Sequence, residues 1–360
     1  MREWTLLLLC VSLSFGCATP SARTAPEKPL PVPVLALNED FPDPTVIRAS
    51  DGWYYGYATQ TIVEQPSVHV LNIQVARSKD LVSWELLGDA LPVKPSWAQT
   101  TQKFWAPHVI EASGRYYLYY SADPDTRDGL CLAVATADSP AGPFTDSGRP
   151  MRCNTGFSEI DPMAYDDPRT GKRLLYWGSG FEPLRVQELA PDRVSFMPGT
   201  QPIELVHPKK GGDATDYMTL LEGSWVLERN GTYYLFFSGN NCCEPNPHYA
   251  VMVARSSSAT GPFELYGPAT GRESNVILES FGGFIAPGHN SVVRGPDGKD
   301  RLLYHAIDSS QMALKHSIEG DRRVRRVMLS SPLEFVDGWP VVRTGLPGVE
   351  PSQPREEGPR

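Results

Sequence analysis

A turn followed by an aromatic-rich strand occurs five times in this chain of 360 residues. The five segments are DGWYYGYAT (51–59), SGRYYLYYSA (113–122), TGKRLLYWGSG (170–180), NGTYYLFFSG (230–239) and DGKDRLLYHAID (297–308). Successive turn glycines are 57 to 67 residues apart, at Gly52, Gly114, Gly171, Gly231 and Gly298. A short Asn-Gly or Asp-Gly turn before an aromatic strand is typical of a β-hairpin, because its tight turn needs residues that tolerate positive φ.

Each hairpin is followed by a third strand, as in NIQVARSKDLVSWE (72–85), LCLAVATADSPAGPFT (130–145) and YAVMVARSSSATGPFE (249–264). A unit of about 60 residues with three or four antiparallel strands is typical of a propeller blade. One such unit cannot bury its faces alone, so five units are expected to close into a ring. The sequence therefore predicts an all-β, five-bladed β-propeller over residues 35–346. A β-sandwich is the alternative, but it would not repeat one hairpin at near-equal spacing.

The innermost strand of a blade should be the one before its hairpin, and it should start near the mouth of the central channel. Asp43, Glu222 and His289 each lie nine residues before the turn glycine of their unit. Asp161 lies ten residues before the turn glycine of its unit. In the second unit the same place falls at Trp105–Ala106. The repeat therefore predicts that three carboxyl groups and a histidine converge around one axis. Ring closure should pair residues 35–40 with the last blade.

Carboxyl groups that share a small, partly dry pocket push their pKa values apart, since joint ionisation is unfavourable. One acid can then stay protonated while another is ionised, which is what hydrolysis of a glycosidic bond requires. Asp-Pro is also common in structural turns. Recurrence at one repeat position favours a catalytic role over that structural role for Asp43 and Asp161.

The motifs FPDPTVI, WAP, IDP, EGSW with NGTYYLFFSG, and PGHNSV stand in this order over roughly residues 38–310. Together they resemble glycoside hydrolase family 43, the five-bladed arabinanase, arabinofuranosidase and xylosidase group. The resemblance implies that Asp43 is the general base of an inverting mechanism and Glu222 the general acid. It implies that Asp161 orients that acid and tunes its pKa.

The resemblance also implies roles around the reacting groups. Trp105 would stack on the sugar and Ser179 would lie beside it, whereas His289 would hold calcium or another structural ion, through water. No cofactor is required for the chemistry. The chain departs from the family at His108, where an acidic residue commonly follows WAP.

The Cys242–Cys243 pair resembles the arabinan-acting branches of the family. The expected activity is therefore hydrolysis of α-L-arabinofuranosidic bonds in arabinan or arabino-oligosaccharides, from plant cell walls. A β-xylosidase or a xylan-acting arabinofuranosidase is the alternative within the class. A carbohydrate-binding propeller without catalysis is the alternative outside it.

The N-terminus predicts export. Residues 1–17 are typical of a signal peptide, with Arg2 followed by an apolar run over 4–15. Cys17, which follows Gly16, resembles the lipidated cysteine of bacterial lipoproteins. Residues 18–34 read as a flexible tether and 347–360 as a disordered tail. The expected location is the cell envelope (outer membrane or periplasm), or the medium if Cys17 is not lipidated, with membrane attachment only through Cys17. A net charge of −9 argues against a nucleic-acid partner, and a monomer is expected.

Four cysteines follow the leader, and export permits disulfides. Four thiols allow three pairings; Cys131–Cys153 with a vicinal Cys242–Cys243 pair is favoured, against four buried thiols. The run DRRVRRV (321–327) is expected to be a solvated strand of the last blade. His108, His305 and His316 are expected to be packing or rim residues.

Overall fold

The five repeat units form five separate antiparallel sheets in the structure, a computed structural model. It describes residue 1 and residues 33–64, 66–126, 129–213, 215–316 and 323–344. The predicted signal peptide (apart from Met1) with Cys17, nearly all of the tether and the tail 347–360 lie outside these ranges. All strands of the described part of the chain belong to one compact unit. None of the helices in the described part of the chain has the length and hydropathy of a membrane-spanning segment.

The first strand of the described residues, β1 (Val34–Leu37), belongs to the last blade, and the first two blades follow it. Blade one has the order β2-β3-β6-β7, and a separate two-stranded sheet, β4-β5, is inserted in it. These strands are β2 (Thr45–Arg48), β3 (Tyr54–Ala58), β4 (Thr61–Val63), β5 (His69–Leu71), β6 (Gln74–Ser78) and β7 (Trp84–Asp89). In blade two, β8-β9-β10 is extended by two short strands that both pair with β10. Its strands are β8 (Trp105–Ala112), β9 (Arg115–Ala122), β10 (Cys131–Ala137), β11 (Thr145–Asp146) and β12 (Arg152–Cys153).

Blades three and four repeat the same antiparallel order. Blade three consists of β13 (Met163–Asp166), β14 (Arg173–Trp177), β15 (Leu184–Glu188) and β16 (Ile203–Val206). A 3₁₀ turn (Tyr217–Thr219) leads into blade four, which also holds the short helix α1 (Tyr266–Thr270). Its strands are β17 (Leu221–Arg229), β18 (Thr232–Asn241), β19 (His248–Ser256), β20 (Glu264–Leu265) and β21 (Val276–Leu278).

The last blade closes the ring, as predicted. Its strands are β22 (Phe284–Arg294), β23 (Asp300–Asp308), β24 (Val327–Val336) and β25 (Trp339–Val342). The N-terminal strand β1 pairs antiparallel with β24, so that Val34 lies opposite Ser330. The two ends of the described chain therefore share one sheet, which closes the five-bladed β-propeller predicted from the repeat.

The five turn glycines have the backbone conformation that the sequence predicts. Each has a φ between 72° and 85°, where a side chain would be strained, and each stands in a hairpin turn of its blade. The aromatic residues that follow are largely buried between blades, among them Tyr57, Tyr119, Tyr120, Tyr176 and Tyr304. Two features therefore recur in every blade: a glycine turn with positive φ, and aromatic side chains that are buried against the neighbouring blade.

The innermost strands of all five blades surround a central cavity of about 730 Å³. One residue from each of them illustrates this lining, namely Ile47, Val109, Ala164, Val226 and Val292. His108 also lies at this cavity, where its Nδ1 accepts the amide hydrogen of Ala164 at 3.3 Å. Burial lowers the pKa of His108 to about 3, so the ring is neutral there.

Both predicted disulfides are formed. Cys131 of β10 and Cys153 of β12 are opposed in the sheet and bonded. Cys242 and Cys243 are bonded to each other between β18 and β19.

Candidate active site

Five residues at equivalent places around the ring share a left-handed backbone. Their φ values are 55° at Asp43, 47° at Ala106, 59° at Asp161, 62° at Gly223 and 47° at His289. Asp43 and Asp161 stand just before an innermost strand, Ala106 and Gly223 near the start of one, and His289 in the middle of β22. In three blades the ladder register shifts beside this residue. Such bulges re-aim a side chain away from the regular alternation of a strand. This local geometry places the predicted site residues at one height around the axis.

The amides of these residues are held by side chains from the neighbouring blade. The partners of Asp43, Ala106, Asp161 and His289 are side chains seven residues after a turn glycine: His305 Nδ1, Thr59 Oγ1, Ser121 Oγ and Ser238 Oγ, at 2.8 to 3.2 Å. In blade three, Ser179 stands eight residues after its turn glycine and bonds Glu222 instead. The amide of Gly223 donates to Asp161 Oδ2 at 3.0 Å. A ring of inter-blade hydrogen bonds therefore fixes the site.

Asp43 is held as a carboxylate in a buried position, with only 8% of its surface exposed. Arg326 Nη1 donates to Asp43 Oδ1 at 2.7 Å, and the Thr59 hydroxyl donates to Oδ2 at 2.6 Å. Burial, the largest single effect, would raise the pKa of Asp43, but Arg326, His289 and His305 together outweigh it, and the pKa lies well below its usual value. Asp43 is therefore ionised, which is the state in which a carboxylate can accept a proton.

Glu222 has the opposite electrostatic environment. The hydroxyls of Ser179 and Tyr249 donate to its two oxygens at 2.7 and 2.8 Å. Burial raises the pKa of Glu222 in spite of these bonds, and the charge of Asp43 raises it further. Both hydroxyls can also accept a hydrogen bond, so they fit a protonated Glu222 as well.

Asp161 is linked to Glu222 through the backbone, because its Oδ2 accepts the amide hydrogen of the next residue, Gly223. Burial, followed by the charges of Glu222 and Asp43, raises the pKa of Asp161 well above its usual value. Asp161 and Glu222 therefore titrate together, and the loss of one proton opposes the loss of the other.

His289 lies between two of the predicted carboxylates. Its Nδ1 is 3.5 Å from Asp43 Oδ1 and 3.6 Å from Asp161 Oδ2. Burial lowers the pKa of His289, although the charge of Asp43 acts against this shift. Over the described ranges no group of three or more His, Cys, Asp or Glu side chains is arranged to ligate a metal ion. The ion predicted at His289, held through water, remains a prediction.

Trp105 stands at the start of β8, in line with the other site residues. Its ring stacks on Phe157 with centroids 6.3 Å apart and planes 4° from parallel. Phe157 is 53% exposed, so this pair presents an aromatic face to solvent. Such a face can stack on the apolar side of a sugar ring.

Three further residues belong to the site and were not predicted for it. Arg326 bonds Asp43, Tyr249 bonds Glu222, and the neutral imidazole of His305 receives the amide hydrogen of Asp43 at 3.1 Å. The expected solvated strand at 321–327 is wrong for its described part, since Arg325 and Arg326 are buried and β24 begins only at Val327. The signal for His305 was present in the sequence, because it stands seven residues after a turn glycine, as Thr59 does.

The sequence model of the family "Glycosyl hydrolases family 43" matches residues 32–340. A probable arabinan endo-1,5-alpha-L-arabinosidase D of Emericella nidulans is 29% identical, with 94% of this chain and 90% of that protein covered. An extracellular exo-alpha-(1->5)-L-arabinofuranosidase of Cellvibrio japonicus is 26% identical over 94% and 90%. Among solved structures, a thermostable family-43 glycoside hydrolase matches with a TM-score of 0.67 and 26% identity, over 87% of this chain and 95% of that one.

Proposed function

The chain belongs to glycosyl hydrolase family 43 and is a glycoside hydrolase, and on that premise we propose that it is an exported, inverting enzyme that cleaves α-L-arabinofuranosidic bonds in arabinan or arabino-oligosaccharides. The observation that carries the proposed mechanism is the opposite electrostatics of two buried carboxyls. The pKa of Asp43 is lowered and that of Glu222 is raised. The choice of arabinan is supported by the names of similar proteins from Emericella nidulans and Cellvibrio japonicus.

In the proposed reaction, Asp43 takes a proton from the attacking water while Glu222 gives one to the departing glycosidic oxygen. Inversion follows because water attacks directly, on the face opposite the leaving group. Arg326 keeps Asp43 ionised before the reaction, at 2.7 Å from its Oδ1. Ser179 and Tyr249 orient the Glu222 carboxyl, and Trp105 supplies the flat surface for the sugar.

We place the proton shared by Asp161 and Glu222 on Glu222. The Gly223 amide can only donate, so it favours a charged Asp161. The hydroxyls of Ser179 and Tyr249 can adapt to a protonated partner. Asp161 then acts as the nearby negative charge that keeps Glu222 protonated.

Replacing Asp161 by Asn should move the alkaline limb of the pH profile of kcat/KM to lower pH. Glu222 must be protonated to work, so activity falls as pH rises through its pKa. Removing the charge of Asp161 makes ionisation of Glu222 easier, which lowers that pKa. Initial rates across the pH range test this, with the unfolding temperature measured at each pH. An alkaline limb that stays in place or moves upward contradicts the role of Asp161.

Hydrolysis of a small substrate panel tests the substrate. We expect turnover of debranched arabinan or of aryl α-L-arabinofuranoside, and little turnover of aryl β-D-xyloside. Activity on the polymer alone indicates endo cleavage, whereas activity on the aryl arabinoside indicates exo cleavage. Preference for the xyloside or for arabinoxylan would favour the xylan-acting alternatives. Binding of these sugars without turnover would support a non-catalytic propeller.

The anomer released first tests the stereochemistry. An inverting enzyme releases β-arabinose from an α-linked substrate, and ¹H NMR detects it before mutarotation. If α-arabinose appears first, the proposed direct attack of water is wrong.

Export and the absence of a required cofactor are parts of the same proposal. The Cellvibrio japonicus relative is named extracellular, and the leader residues Arg2 to Cys17 support export of this chain. Lipidation at Cys17 should disappear in the Cys17→Ser variant, as measured by fatty-acid labelling. Dialysis against a chelator should leave the acid–base chemistry in place, whereas a loss of activity restored by calcium would indicate an ion at His289.

A further inference from the structure

We propose that the Cys242–Cys243 disulfide positions both reacting carboxyl groups, by fixing the segment that carries Arg326 and by packing against the apolar cluster that contains Tyr249. The inference rests on the proposed hydrolysis, in which Asp43 is the base and Glu222 the acid. Neither cysteine touches these carboxyls in the structure, so the pair would act through its neighbours.

The disulfide stands in the connection between β18, which ends at Asn241, and β19, which begins at His248. Asn241 organises this connection, because its Oδ1 accepts the amide hydrogens of Cys243 and Glu244 at 3.3 and 3.0 Å. The bond between adjacent side chains closes a small ring that includes the peptide linking them. The ring constrains the Cys242–Cys243 peptide and the Cα of Cys243, and the carbonyl of Cys243 is attached directly to that Cα.

The first link runs from this carbonyl to the proposed base. Cys243 O accepts the amide hydrogen of Val324 at 2.9 Å. Residues 323–326 precede β24 and belong to no strand, so single hydrogen bonds replace a ladder there. Two residues after Val324, the Arg326 side chain reaches Asp43 at 2.7 Å. Arg326 is also held directly, since its amide donates to Asp40 Oδ1 at 3.0 Å and its carbonyl accepts the amide hydrogen of Phe41 at 2.8 Å. We expect that a shift of Val324 nevertheless moves the guanidinium that keeps Asp43 charged and oriented.

The second link runs to the proposed acid. Cys242 and Val324 both pack against the small apolar cluster that contains Tyr249. The hydroxyl of Tyr249 donates to Glu222 at 2.8 Å. Its ring also lies parallel to that of His305, with centroids 5.7 Å apart. The disulfide thus borders the residues that orient both carboxyl groups.

A general stabilising role explains this bond poorly. A disulfide stabilises a fold mainly by shortening loops of the unfolded chain, and the gain grows with loop length. Adjacent cysteines close no loop, since their sequence separation is 1, whereas Cys131 and Cys153 are 22 residues apart. The effect of the vicinal pair is therefore expected in the local geometry of the site.

The test compares two double variants, C242S/C243S and the matched disulfide control C131S/C153S. Wild type is assayed first on arabinan and the aryl glycosides, and its best substrate is used throughout, so an error in the proposed substrate is detected separately. Well below the unfolding temperature, C242S/C243S should lose roughly 10- to 100-fold in kcat, the scale expected when a reacting group is slightly misplaced. KM should change little. The control should lose more in Tm and little in kcat.

Coupling to Arg326 distinguishes positioning from a structural effect. In an R326K background, removing the vicinal disulfide should cost much less than in wild type, because both changes act on one contact. Independent effects of the two changes on kcat, or an unchanged kcat in C242S/C243S, would overturn the proposal. A crystal structure of C242S/C243S gives a readout without activity. Arg326 should have left hydrogen-bond distance of Asp43, and retention of that contact would also overturn it.

Discussion

Asp43→Asn is expected to lower kcat by about 10²–10⁴-fold, the usual contribution of a general base. The amide keeps the shape of the side chain but cannot accept a proton from water. The loss should be equal for substrates with good and poor leaving groups, because attack by water is impaired in both cases. Rates with a dinitrophenyl and an unactivated α-L-arabinofuranoside measure this.

Asp43→Asn should also lower the stability of the fold. The loss of activity caused by unfolding must therefore be measured separately from the loss in kcat of the folded enzyme. Arg326 is only 3% exposed and would lose the carboxylate that its guanidinium bonds, and removing one partner of a buried ion pair commonly costs about 3–5 kcal/mol. Asp167→Asn is the matched control, since Asp167 is another buried aspartate before a proline. It bonds Thr170 and Tyr233 at a hairpin turn. That control should lose stability and keep kcat. Near-normal turnover by folded Asp43→Asn would contradict the assignment of Asp43 as base.

The architecture could be predicted because each blade repeats its own local signal. The turn glycines need positive φ, and the aromatic side chains of the strands must be buried against a neighbouring blade. Both requirements are visible in a stretch of about ten residues. Five copies at near-equal spacing leave ring closure as the natural way to bury every face. The pairing of β1 with β24 follows from the same logic and is found in the structure.

The site could be predicted only in part. The repeat position indicated Asp43, Asp161, Glu222 and His289, because equivalent residues in a ring face one axis. The left-handed backbone behind this placement was not evident at Ala106 or His289, since such residues rarely adopt positive φ. In the structure, side chains of the neighbouring blades bond the amides of both residues.

Arg326 illustrates what sequence patterns do not reveal. A run of arginines normally indicates a solvated surface, because burying a charge is costly without a partner. The partner here is Asp43, 283 positions away in the chain. No local pattern connects the two, and their contact exists only because the first and last parts of the propeller meet.

Glu222→Gln is expected to lower kcat by about 10²–10⁴-fold on arabino-oligosaccharides, whose leaving group must be protonated as the bond breaks. The amide can still bond Ser179 and Tyr249, so the geometry of the site should be preserved. The loss should be far smaller on a dinitrophenyl arabinofuranoside, because that leaving group departs without a proton. This dependence on the leaving group distinguishes Glu222 from Asp43, for which equal losses are expected.

Glu228→Gln supplies the control from the same strand. Glu228 lies toward the other end of β17, where its carboxylate accepts the amide hydrogen of Gly231 in the hairpin turn. Its replacement should leave both substrates unaffected. A Glu222→Gln enzyme that slows equally on both leaving groups would show that Glu222 does not deliver the proton. The raised pKa of Glu222 would then reflect burial beside Asp43 alone, and the acid would have to be sought at Asp161, the other carboxyl whose pKa is raised.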